Sequence, residues 1–101
     1  MINPDDAQTI AAIASQFMVD GRYSDWYDRE KDGRSGTPGI WADLGLVGAK
    51  VARAEHALEV DWGEYEYIET IDSIVDEMYE NGLEQDWTAV LRRILESQKG
   101  G

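Results

Sequence analysis

"TPGIWADLGLVGAKVARAEHAL", Thr37 to Leu58, sets Ile40, Leu44, Val47, Val51, Ala54 and Leu58 at alternating steps of four and three. That spacing is the period of a helix with one apolar stripe, and an apolar stripe is stable only when other elements cover it. Thr37-Pro38 suits a helix start, since proline is tolerated in a first turn where its missing N–H is not needed. Gly45 and Gly48 run against helix propensity by roughly 1 kcal/mol each relative to alanine. Their presence in an otherwise regular helix marks positions where another segment approaches closely.

Working outward, the covering elements have the same period. Asn3-Pro4-Asp5-Asp6 reads as a cap, a first-turn proline and acids favoured by the helix dipole, and Ile10, Ile13, Ala14 and Phe17 then form the apolar face of a first helix ending near Val19. After a break at Asp61-Trp62-Gly63, Ile68, Ile71, Val75 and Met78 predict a third helix that stops at Asn81-Gly82. Asp86 predicts the cap of a fourth, with Trp87, Val90, Leu91, Ile94 and Leu95 inward, and the last residues, Gln98 to Gly101, read as frayed. Between helices one and two, Asp20 to Gly39 reads as a long connection, with Tyr23, Trp26 and Tyr27 suggesting that part of it folds back as a helical turn. No alternating strand pattern and no internal repeat competes. The expected fold is all-α: one domain over residues 1–101, a compact and mostly antiparallel bundle of about four helices with a long loop between the first two.

Composition narrows the chemistry. The 101 residues include no cysteine, which excludes disulfides and thiolate metal sites. No apolar run reaches the ~20 residues of a membrane span, and the start lacks the basic residues of a secretory signal, so the chain reads as soluble and cytoplasmic. Charge is the strongest global signal: 21 acidic against 9 basic residues give −12. Such a chain repels phosphate backbones and attracts basic surfaces over a Debye length of about 8 Å. Direct nucleic-acid binding is disfavoured for the same reason.

Two acidic stretches invite a metal reading. In "YIETIDSIVDEMYENG", Glu69, Asp72, Asp76 and Glu80 form one stripe of the third helix, mostly opposite its apolar stripe, with Asp72 nearest the apolar edge. Carboxylates three and four apart are able to share a magnesium ion, and they equally suit a solvated face. "DREKDGRSGTPG", Asp28 to Gly39, begins like an EF-hand calcium loop but has Gly39 where the bidentate glutamate belongs, so a polar turn is the better reading. Nucleophilic catalysis has little to work with, because His56 is the single histidine and lies off the apolar seam. "GLVG" lacks the lysine of a phosphate-binding loop.

From Tyr23 to Tyr79, "YSDW", "IWADLGLVGAKVARAEHAL" and "IETIDSIVDEMY" resemble the small all-α nucleotide-modification-associated domains and the wider MazG-like NTP pyrophosphohydrolases. That resemblance implies a Glu-x-x-Glu on one helix and a Glu-x-x-Asp on a later one holding magnesium against a triphosphate. Glu69 and Asp72 match the second pair, whereas Glu55 and Glu59 stand four apart where the family has three, and Lys50 and Arg53 resemble a basic pair that touches phosphate. The magnesium set it implies is Glu55, Glu59, Glu69, Asp72 and Asp76, with a site formed between subunits of a homodimer.

The other reading, preferred because the magnesium set is incomplete, is a non-enzymatic interaction protein without a cofactor or catalytic residues. Its acidic surface would bind a basic protein surface, that of a nucleic-acid-binding protein, and inhibit it. In general character the chain resembles small phage or mobile-element anti-defence proteins, anti-CRISPR proteins among them. The residues expected to meet the partner are Asp25, Asp28, Glu30 and Asp32 in the connection, with Glu66, Glu69, Asp72, Asp76 and Glu80 on or beside the third helix.

Overall fold

A computed structural model describes residues 4–30 and 37–99, with side chains placed for 4–26 and 42–99. Among the described residues the protein is an all-α bundle of α1 (Pro4–Val19), α2 (Arg22–Glu30), α3 (Thr37–Leu58), α4 (Tyr67–Asn81) and α5 (Trp87–Lys99), with a 3-10 turn at Trp62–Glu64. Helix α1 packs on both α3 and α4, and α5 closes against the same two helices. Helices α3 and α4 therefore meet mainly through what lies between them.

The seam of α3 is the centre of the core. Leu44, Val47, Val51 and Ala54 are buried, Leu58 is partly so, and Ile40 lies outside the residues whose side chains are described. The two glycines of α3 part company. A Cβ on Gly48 would stand 2.4 Å from Ile10 Cγ1 and 2.7 Å from Ile10 Cα, so α1 crosses α3 at the missing side chain, while nothing lies within 4 Å of a Cβ on Gly45.

Three departures from the sequence pattern have physical causes. Part of the long connection, Arg22–Glu30, is the helix α2: Gly21, at φ 77°, turns the chain between α1 and α2, a conformation that favours glycine. Trp26 and Tyr23 then pack edge-on against Phe17, with ring centroids 6.1 and 6.2 Å away. In α4 the buried stripe is Thr70, Ile71, Ile74, Val75 and Met78, while Ile68, assigned inward by its spacing, is 60% exposed. At the first turn of α4 the buried stripe runs past Thr70, and the flank carrying Ile68 is uncovered. Finally, the C-terminal residues do not fray before Lys99. Gln98 accepts a hydrogen bond from the Glu66 backbone N–H at 3.0 Å and donates to the Thr70 hydroxyl at 2.6 Å, clipping the end of α5 to the start of α4.

Other boundaries follow the sequence reading. Asp86 accepts from the Ala89 backbone N–H, capping α5, and Gly82 ends α4 at φ 86° with its N–H bonded to the Met78 carbonyl. No helix among the described residues is long and apolar enough to cross a membrane.

Candidate functional site

The acidic row of α4 is two things. Asp72 and Asp76, one turn apart on the edge facing α1 and α2, both accept hydrogen bonds from the Arg22 guanidinium, which also donates to Asp20. Gln16 donates to Asp20 at 2.9 Å. One arginine at the start of α2 thus fastens the α1–α2 turn to α4 through three carboxylates. The fork geometry of guanidinium lets a single side chain serve several carboxylates. A contact between the Asp20 and Asp72 carboxyls pushes the Asp20 carboxyl above its ordinary range and, together with Arg22, holds Asp72 below it.

The remaining acids of the row face outward. Glu66, Glu69 and Glu80 are exposed and make no ion pair among the described residues. Two nearby acids are different: Glu77 of α4 pairs with Arg93 at 2.8 Å, and Glu64 of the 3-10 turn with Lys99 at 3.3 Å. Of the acids expected on the connection, Asp25 is exposed in the first turn of α2. Asp28 and Glu30 lie on α2 but their side chains, like all of Asp32, are outside the described residues, as is most of the calcium-like loop.

The second feature is a cleft of about 490 Å³ at the opposite end of α3's apolar seam from Gly45. Asp5 and Thr9 of α1, Glu55 and His56 of α3, Trp62 of the 3-10 turn and Tyr67 of α4 form its walls. Thr9, a residue only 2% exposed, has its hydroxyl 3.3 Å from both Glu55 carboxylate oxygens. Burial pushes the Glu55 carboxyl above its ordinary value, while the Thr9 hydrogen bond pulls it back. Burial likewise pushes up the Tyr67 phenol. Trp62 and Tyr67 meet edge to face, their centroids 4.7 Å apart. His56 is exposed and 4.0 Å from Asp5 at the mouth of the cleft. Glu59, which also lines the cleft, has φ 51°, a left-handed backbone at the end of α3.

The magnesium set does not assemble. Glu55 and Glu59 line the cleft, Asp72 and Asp76 are engaged by Arg22, and Glu69 faces outward. Among the described residues no three histidine, aspartate or glutamate side chains are grouped so as to hold a metal ion. Within one chain these acids do not converge on a common point, and Arg22 is paired with two of them, Asp72 and Asp76. Lys50 is half-buried and Arg53 exposed on α3.

Thr9, Arg22, Trp62 and Tyr67 carry the geometry of these two features without having stood out in the sequence. Arg22 had a signal, a lone cation between Asp20 and Asp25. The other three are assembled only by tertiary packing. No family model, no curated protein and no solved structure matches this chain.

Proposed function

We propose that this chain is a non-enzymatic interaction protein whose outer α4 face docks on a basic protein surface of the kind that binds nucleic acid, and blocks it. The observation that carries this reading is the pair of roles within one acidic row. Asp72 and Asp76 are engaged by Arg22, whereas Glu69 and Glu80 on the same helix, and Glu66 at its N-cap, have no counter-ion among the described residues. The backbone that carries these carboxylates is already fixed by packing, so a cationic partner has only their side chains to order, at about 0.5–1.5 kcal/mol each. A net charge of −12 adds long-range steering, which raises association rates more than it deepens the complex. A surface that ordinarily grips phosphates is complementary to such a row, and occupying it excludes the nucleic acid.

The test is affinity capture from lysate with wild type beside Glu69→Lys/Glu80→Lys. This pair leaves the Arg22 cluster intact. It also places one lysine at each end of α4, so unfavourable and favourable dipole effects of about 0.3–1 kcal/mol offset each other. The expected result is a basic, nucleic-acid-binding protein retained by wild type at low salt and lost by the variant, with unchanged circular dichroism. Retention of the same proteins by both forms would overturn the reading.

A further inference from the structure

We propose that the cleft beneath the 3-10 turn is a receptor for an arginine side chain of the partner, an inference that rests on the interaction reading above and adds a second contact to it. Three features of the cleft select this guest. Its volume, about 490 Å³, is within the range of sites that enclose small organic groups. Its charge is one-sided: Asp5, Glu55 and Glu59 line it, the sole basic-capable lining residue is His56, and no lysine or arginine pairs with Glu55 among the described residues. Its lining combines the half-buried Glu55 carboxylate with two aromatic residues, Trp62 and Tyr67, whose rings meet edge to face.

A guanidinium answers all three at once. It is planar and delocalised, donates two parallel N–H bonds to one carboxylate, stacks on aromatic rings, and carries a methylene stem for an apolar wall. Glu55 is presented for it: it lines the cleft, and the buried Thr9 approaches both carboxylate oxygens equally, at 3.3 Å, which orients the carboxylate. A small compact ammonium would satisfy Glu55 but would lack the planar surface that matches the rings. A neutral guest would leave a partly desolvated carboxylate without a counter-charge, and a phosphate or carboxylate would be repelled.

The direct probe is N-acetyl-arginine amide, titrated into ¹⁵N-labelled protein and read at the Trp62 indole N–H and the Thr9 amide. The proposal expects saturable shifts with a millimolar dissociation constant, no saturable shift with the isosteric N-acetyl-citrulline amide, and about tenfold weaker binding to Glu55→Gln, the loss of one charge-assisted partner. Glu69→Lys/Glu80→Lys, altered on the far face of α4, should bind the probe as wild type does. The cleft and the α4 face are thereby tested separately: normal probe binding beside failed lysate capture sinks the interaction reading, and normal capture beside absent probe binding sinks the arginine site. Equal shifts from the citrulline compound, no effect of Glu55→Gln, or tighter binding of spermidine than of the arginine probe would each overturn the assignment.

Discussion

Placing a methyl group on Gly48 tests whether α1 and α3 are packed backbone to backbone. An alanine Cβ would lie 2.7 Å from Ile10 Cα and 2.4 Å from Ile10 Cγ1. Rotating the Ile10 side chain relieves the second contact only. The first is to backbone, and carbon atoms rest at about 3.5–4.0 Å, so α1 must retreat by roughly 1 Å. Overpacking of this kind costs about 1–3 kcal/mol, against which alanine recovers about 1 kcal/mol of helix propensity. The net expectation is a loss of up to about 2 kcal/mol, hence a Tm lower by up to roughly 15 °C for a domain of this size. Gly45→Ala is the internal control: nothing lies within 4 Å of its Cβ, so propensity alone acts and the protein gains about 0.5–1 kcal/mol. Thermal denaturation followed at 222 nm reads both. If Gly48→Ala is stabilised as Gly45→Ala is, α1 does not cross α3 at this glycine and the packing argument fails.

Further outcomes follow from the two site features. Arg22→Met should cost about 1 kcal/mol, a modest figure because Asp72 and Asp76 are 42% and 60% exposed and solvent screens them. Asp72 titrates below its ordinary value in the fold, so its contribution is present above the usual carboxylate range and lost as pH falls through its depressed pKa; urea denaturation of the two proteins should converge at low pH. Glu55 has the opposite sign: its raised pKa makes the charged form unfavourable once pH exceeds that value, so Glu55→Gln should melt higher than wild type at pH 7, with the advantage vanishing in acid where wild type is protonated. Glu59→Gly should stabilise by about 1 kcal/mol by removing a Cβ from a left-handed residue, measurable as a shift in denaturant midpoint at unchanged slope.

Residues at a strong helical period were legible in the sequence, because burial of one stripe is all that their spacing encodes. Leu44, Val47 and Val51 are buried where their alternation puts them, and Gly48 marked a close approach that its poor propensity advertised. Helix α2 was legible only as a folded-back helical turn: Tyr23 and Trp26 do reach Phe17, but "RYSDWYDRE" is polar on most sides, so the extent of the helix did not show. Ile68 shows the complementary failure, since periodicity cannot say where the covering helix ends. The acidic row was visible as a stripe, yet its division was not. Which acids are paired depends on Arg22, brought from 50 residues away in sequence to Asp72. The cleft was invisible for the same reason, its walls coming from α1, α3, the 3-10 turn and α4.

The central claim, that the unpaired α4 carboxylates occupy a nucleic-acid-binding surface, is tested most directly by competition. The captured basic partner is bound to fluorescent nucleic acid at 0.15 M salt and titrated with wild type or Glu69→Lys/Glu80→Lys while anisotropy is followed. The account predicts that wild type releases the nucleic acid stoichiometrically, that raising the salt weakens this competition, and that the variant releases little at the same concentrations. Undiminished nucleic-acid binding in the presence of saturating wild type, or equal release by the variant, would contradict it.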